Sequence, residues 1–273
     1  MPTILDQIVA DTRDLLAQRK RQIPVDALRD KPGYHAPTLS LERALRASGD
    51  GLPGPAVIAE IKPASPSKGR LRAELDVAQI ARSYKSARAA AISVLTEPVH
   101  FKGSLDNLQK ARHACDLPLL RKDFIVDAYQ LHEARAYGAD AVLLIAAILD
   151  QDELAALHAE ATALGLSCLV ELYDEAEMEK VDFEQVRILG VNNRDLRTFT
   201  VDLDHSLRVF DRAPGHVVRV SESGIRSGAD VAHLVSRGVH GVLIGETFMR
   251  ADDPGCALRQ LRREAMAGLV PTA

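Results

Sequence analysis

The chain has 273 residues, 47% hydrophobic and 26% charged, and 34 Lys and Arg stand against 38 Asp and Glu for a formal charge of -4. That balance offers no polyanion-binding surface, which argues against a nucleic-acid ligand. Cys115, Cys168 and Cys256 form neither a zinc spacing nor a disulfide framework, no apolar run reaches ~18 residues, and the acidic start MPTILDQIVADTRDLL is unlike a signal peptide; a cytoplasmic protein with no membrane partner is expected.

Taken in order, the first stretch places Ile4, Leu5, Ile8, Val9, Thr12, Leu15 and Leu16 on one helical stripe that ends in Arg19, Lys20 and Arg21. Pro24, Pro32 and Pro37 break the chain before a short helical pattern at 41–47. Residues 1–48 therefore read as a helical extension packed against a domain, because one amphipathic helix has no core of its own. From residue 56 a rhythm begins. Apolar runs recur at 56–62, 90–96, 118–124, 140–147, 167–173, 187–193, 216–224 and 241–245. Amphipathic stretches fill most of the gaps, among them 77–88, 127–137, 151–164 and 228–237, and a helical tail follows at 254–267. Eight strands alternating with helices close into a barrel or lie in an open doubly wound sheet. The length, the even spacing and the lack of an early GxGxxG favour an α/β (β/α)8 TIM barrel, one domain over residues 1–273.

Several of these strands carry charge where a barrel interior prefers Val, Ile and Leu. Side chains alternate between faces, so Ile58, Glu60 and Lys62 share one face, as do Leu120, Lys122 and Phe124. Leu169 pairs likewise with Glu171, Gly190 with Asn192, and Val220 with Glu222. Each polar residue falls near the carboxyl end of its strand, where barrel enzymes place their chemistry. One such residue alone is more often a paired rim residue, and a Glu60–Lys62 ion pair is an even expectation. It is the coincidence of Lys122, Glu171, Asn192 and Glu222 that points to catalysis. Arg121 and Asp123, on the opposite face, read as solvent-side or loop-pairing residues.

After the seventh strand comes Ser221-Glu222-Ser223-Gly224-Ile225, and after the eighth Gly245-Glu246-Thr247. In many barrels these two loops bind phosphate through backbone N–H groups and the start of a short helix. Ser223 adds a hydroxyl, and Ser65 in PASPSKG (63–69) is a third contributor. The plain alternative is a pair of ordinary capping turns.

AEIKPASPSKG, SVLTEPVHFKGSLDNL, PLLRKDFIVDAYQ, LLIAAIL, VELYDEAE, GVNNRDLRTFTVDL and VSESGI, in this order, resemble indole-3-glycerol phosphate synthase from about residue 1 to about residue 266. The resemblance implies a (β/α)8 barrel that converts 1-(2-carboxyphenylamino)-1-deoxyribulose 5-phosphate, an anionic aryl-amino sugar phosphate, into indole-3-glycerol phosphate with release of carbon dioxide and water. It implies no metal and no cofactor. Lys62 would grip the substrate carboxylate with Glu60 orienting it, and Lys122 would be the general acid of ring closure. Glu171 would exchange protons in the dehydration, while Asn192 and Glu222 would hold the anilino group and the lysines. Arg194 would line the mouth, and Ser65, Ser223, Gly224, Gly245 and Glu246 would bind phosphate. Phe101, Leu143 and Ile145 would wall the aromatic ring.

The chemistry asks for the same groups: a lysine, its reference pKa near ~10.4, delivers a proton to the carbonyl oxygen. Burial and Lys62 as a second cation are expected to lower the Lys122 pKa, with Glu60 and Glu222 limiting the fall. Three positions depart from the family pattern: Leu41 where an aromatic is usual, Pro63-Ala64 where a basic residue is common, and Lys102 where a polar amide is usual. All three are expected at the rim or the amino-terminal flap. Phosphoribosylanthranilate isomerase, a Schiff-base aldolase and a non-enzymatic phosphate-binding module are the rival readings. A monomer or weak homo-oligomer is expected.

Overall fold

The computed structural model describes residues 3–47, 55–195, 198 and 200–269. Residue 48 of the expected extension and both ends of the expected domain lie outside the described residues.

All eight expected strands form: β1 Ala56–Ile61, β2 Ala91–Leu95, β3 Leu119–Lys122, β4 Ala141–Ile145, β5 Ser167–Leu172, β6 Ile188–Asn192, β7 Val218–Glu222 and β8 Gly241–Ile244. Each pairs in parallel with its neighbour in sequence, and β8 returns to β1 through Ile58↔Leu243 and Ala59↔Ile244, closing the barrel. Closure leaves no strand edge exposed.

Strand alternation separates two apolar cores. Ile58, Leu120, Leu143, Leu169, Val220 and Leu243 fill the interior, while Val57, Ile92, Leu119, Val142, Val170 and Val242 face the surrounding helices. Those helices are α4 Val77–Ser86, α5 Leu105–Ala114, α6 Ala128–Ala136, α7 Gln151–Ala163, α8 Asp204–Phe210, α9 Gly228–Ser236, the short α10 Glu246–Met249 and α11 Pro254–Leu269. Side-chain oxygens cap many of them: Asp76 on α4, Ser104 on α5, Asp127 on α6, Asp150 on α7 and Ser227 on α9 each accept from a first-turn N–H.

The N-terminal segment touches both mouths of the barrel. α1 Ile4–Gln22 puts Ile4, Leu5 and Ile8 over the carboxyl-end mouth. α2 Val25–Arg29 follows it against α6. α3 Leu41–Ala47 then closes the opposite mouth, with Leu41 and Leu45 fully buried among Ala56, Ala91, Ala141 and Val218. Leu41 is thus no rim residue: it plugs the floor, which corrects the expected flap position.

A second correction concerns α6. The expected amphipathic stripe is absent, because every residue from Tyr129 to Ala136 is buried. Leu16, Leu28 and Tyr34 of the extension cover its outer side, packing on Tyr129 and Ala136. Its polar groups are paired accordingly. Arg135 donates to the Tyr34 and Ala36 carbonyls at 2.7 and 2.6 Å, and His132 meets the Tyr34 hydroxyl at 2.5 Å.

Candidate active site

A cavity of about 570 Å³ opens at the carboxyl ends of the strands. All fifteen residues singled out from the sequence line it: Glu60, Lys62, Ser65, Phe101, Lys122, Leu143, Ile145, Glu171, Asn192, Arg194, Glu222, Ser223, Gly224, Gly245 and Glu246. Parity brings in the seven on strands, since every inward position near a strand's end faces the same space, and the segments that follow those ends carry the other eight.

At the centre is Lys122. Its Nζ lies 2.9 Å from Glu171 Oε2 and 3.2 Å from Glu222 Oε2. Register explains the grouping: Glu171 sits beside Gly190, and Asn192 beside Glu222. Gly190 leaves room there, because a Cβ would force the Glu222 carboxylate to shift. Gly245 clears space for Glu60 in the same way. Lys62 Nζ lies 2.6 Å from Glu60 Oε1, so the even expectation resolves to an ion pair. Fully buried Ser93, the β2 neighbour of Glu60, donates to Glu60 Oε2 at 3.5 Å.

Electrostatics reverses one expectation. Burial does act to lower the Lys122 pKa, but Glu171, Glu222 and Glu60 outweigh it and hold the ammonium above its ordinary value. The Glu171 and Glu60 carboxylates, joined by Glu222 once it ionises, overcome the desolvation of one cation in a low-dielectric space. Glu222 is pushed up to about 8, chiefly by burial and then by Glu171, with Lys122 opposing. For Glu171, burial acts upward, yet Lys122, Glu222 and Asn192 together keep its carboxyl below the usual value. At neutral pH the centre therefore holds an ammonium, one carboxylate and one neutral carboxyl.

The loops after β7 and β8 carry the expected turn features. Ser223 and Gly224 both take positive φ, 68° and 80°, and a Cβ on Gly224 would strike Val201. A serine in the left-handed region is strained, and such strain gathers at functional sites. Asn193 holds it there: its Nδ2 donates to the Ser223 carbonyl at 3.2 Å and to Ser221 Oγ at 2.8 Å. Glu246 opens α10, paired through its carboxylate with Arg250 at 3.1 Å and Arg194 at 3.8 Å. Ser65 lies in a two-stranded ribbon, Ala64–Ser65 with Gly69–Arg70, where a plain loop was expected. Pro63 and Ala64 are buried beneath it.

Sequence reasoning missed several contributors. Ile4, Leu5 and Ile8 of the expected amino-terminal flap were not named as site residues, yet they roof the cavity, and Phe124 faces it 5.8 Å from the Phe101 ring. Lys68, Arg226 and Arg250 add positive charge at the mouth; Lys68 lies within the loop 63–69 singled out from the sequence, and the two arginines just past the other two segments. Buried Glu97 shapes the Phe101 turn by accepting from the Val99, His100 and Phe101 amides at 2.7, 2.7 and 2.8 Å. Lys102 in that turn has φ 56° and is exposed. Arg121 and Asp123 do pair, at 2.8 Å, but neither is solvent-side: both are buried, and Asp123 also borders the cavity. Among the described residues, no cluster of three or more His, Cys, Asp or Glu is arranged to hold a metal ion.

Comparison with known proteins adds sequence relatives to this geometry. The family model for indole-3-glycerol phosphate synthase matches residues 5–261. A protein of that name from Salinibacter ruber is 56% identical over 264 residues, covering 96% of either chain. Its namesake from Neisseria meningitidis serogroup B is 49% identical over 93% of this chain and 96% of its own. Among solved structures, a thiamine phosphate pyrophosphorylase from Pyrococcus furiosus aligns over 85% of this chain and 100% of its own, with TM-score 0.60 and 16% identity, a likeness of fold alone. With the family model spanning nearly the whole barrel and relatives near half identity along their full length, the chain belongs to the indole-3-glycerol phosphate synthase family.

Proposed function

We propose that the cavity is where this chain, an indole-3-glycerol phosphate synthase of tryptophan biosynthesis, closes and dehydrates its substrate. The reaction is the decarboxylating ring closure of 1-(2-carboxyphenylamino)-1-deoxyribulose 5-phosphate to indole-3-glycerol phosphate. The observation that carries the assignment of roles is Lys122 Nζ, held between Glu171 and Glu222 at 2.9 and 3.2 Å inside the cavity.

The ring carbon that bears the carboxylate attacks the sugar carbonyl, and negative charge develops on the carbonyl oxygen. Lys122, firmly protonated, delivers a proton there as general acid. Lys62, aligned by Glu60, binds the substrate carboxylate until it departs as carbon dioxide. The electron pair of the broken bond returns to the ring and restores its aromaticity. Loss of the hydroxyl as water then needs a base and an acid close together: Glu171 takes the proton from the neighbouring carbon, and Lys62, released when the carboxylate departs, protonates the leaving hydroxyl. Asn192 and Glu222 orient the anilino group and the lysine. Phe101, Leu143 and Ile145 wall the aromatic ring. The phosphate binds at the backbone of Ser223, Gly224, Gly245 and Glu246 with the Ser65 hydroxyl, and Arg194 lines the mouth. The strained turn at Ser223 and the cationic rim support this end as the phosphate end. A cytoplasmic enzyme acting without metal or cofactor completes the reading.

The chain contains no Trp and 5 Tyr, so indole fluorescence from product rises against a low background. Substrate mixed with enzyme and chelator should give that rise. Lys122→Met should reduce kcat by about a thousandfold, within the usual range for a general acid, with the fold intact. Near-normal kcat in that variant would remove Lys122 from its role.

A further inference from the structure

The largest buried charges that the mechanism leaves unused lie on the far side of the β3 wall. Arg121 is fully buried and spends its donors on four groups: Thr96 Oγ1 at 3.1 Å, Asp123 Oδ2 at 2.8 Å, the Gln130 carbonyl at 2.6 Å and Glu133 Oε2 at 3.0 Å. Asp123 also accepts from Thr96 Oγ1 at 2.6 Å and from the Phe124 amide at 2.9 Å. Glu133, on α6, is shared. Its Oε2 receives Arg121 and, at 3.1 Å, Arg19 Nη1 from α1.

Stability is a weak reason for such a cluster. A buried ion pair is roughly neutral against apolar residues of the same volume, whereas its geometry is specific. The ends of the chain of contacts matter more. One end is the backbone on either side of Lys122 together with Phe124. The other is the helix whose Ile4, Leu5 and Ile8 roof the cavity.

We infer that Glu133 is a positioning residue: by joining Arg19 of α1 to Arg121 of β3, it sets the docking of the roofing helix and the placement of Lys122 and Phe124 from one buried carboxylate. The inference rests on the role proposed for Lys122. The carboxylate touches no substrate, and it acts only through Arg121 and Arg19.

The test compares steady-state kinetics of the full chain with Glu133→Gln, Arg19→Met, Arg19→Lys, Arg19→Met with Glu133→Gln, and Lys122→Met, each checked for folding by thermal melting. Loss of a supporting partner around a reacting group costs about 10–100-fold, so E133Q should lower kcat by at least tenfold. R19M should raise KM several-fold, because the roof is loosened while Lys122 stays in place. R19K should return KM to within twofold of the parent, and the double variant should have the KM of E133Q alone. A merely structural glutamate would not divide its effects between kcat and KM in this way. Folded E133Q with parental kcat and KM overturns the inference, as does a double variant whose KM effects simply multiply. Should E133Q fail to fold, R19M decides, since the Arg19 side chain is 23% exposed and its loss is tolerable. An unchanged KM there overturns the inference, and a raised KM restored by R19K supports it. If K122M keeps its turnover, the reading of Lys122 has failed; if K122M is inactive while E133Q and R19M behave as the parent, only the present inference has.

Discussion

Glu222 makes the site sensitive to pH. With its carboxyl raised to about 8, it is neutral at pH 7 and ionises as the medium turns alkaline. Lys122 then faces a third carboxylate beside Glu171 and Glu60, gives up its proton less readily, and the cavity repels an anionic substrate. The expected result is a kcat/KM that falls with a midpoint near the 8 of Glu222, and a pH–rate series should show Glu222→Gln losing that limb. The same shift bears on stability. Its folded pKa lies above the ordinary ~4.3 of a free glutamate, so Glu222 favours the folded state fully below that value and loses this contribution as pH rises toward the folded pKa. Glu171, shifted downward, acts in the opposite sense and loses its contribution as pH falls.

Lys102 offers a second test among single residues. Its φ of 56° puts a side chain with no local hydrogen-bonding role in the left-handed region. Asparagine visits that region more readily, which gives a physical reason for the amide usual there. Lys102→Asn should raise stability by up to about 1 kcal/mol in denaturant titration. A lower midpoint would count against the backbone argument.

Among elements, two helices of the extension, one at each end of the barrel, divide the labour. α1 roofs the functional mouth, and α3 plugs the other with Leu41 and Leu45. Residues at the amino-terminal face of a barrel serve stability, and those at the carboxyl face serve chemistry. Leu45→Ala should therefore cost about 2–5 kcal/mol by opening a cavity in the floor, with kcat/KM nearly unchanged. Calorimetry beside an activity assay separates the two effects, and a comparable loss of activity would deny that division. α6 shows how packing rewrites an element's character. Its polar residues at 130, 132, 133 and 135 mimic a solvated face in sequence, yet all are buried once the extension covers them.

For the molecule as a whole, the extension docks on the barrel through its own apolar cluster and through Arg19 and Lys20, which pair with Glu133 and Asp127. Barrel and extension should unfold in a single transition, with coincident fluorescence and circular dichroism curves. Among the described residues the exposed large hydrophobics are Leu39, Val99 and Met266, each on a different part of the chain. Scattered residues of this kind form no contiguous patch, and light scattering tests the expected monomer or weak homo-oligomer.

What was legible in the sequence was whatever depends on period and order. Strand spacing announced the barrel, and the two-residue alternation put Glu60, Lys122, Glu171, Asn192 and Glu222 on inward positions near strand ends. A closed parallel sheet turns such positions toward one space, which accounts for the seven site residues on strands; the eight past the strand ends were legible from that place and from the family resemblance. Contacts between distant segments were left to the tertiary structure. Arg121 and Asp123 look exposed on parity alone, because the outer face of β3 is buried only when α6 and then α1 lie across it. Leu41 carries no mark of the end it plugs. The upward shift of Lys122 depends on three glutamates from three other strands converging within a low-dielectric space, and that sum of distances exists only in the folded chain.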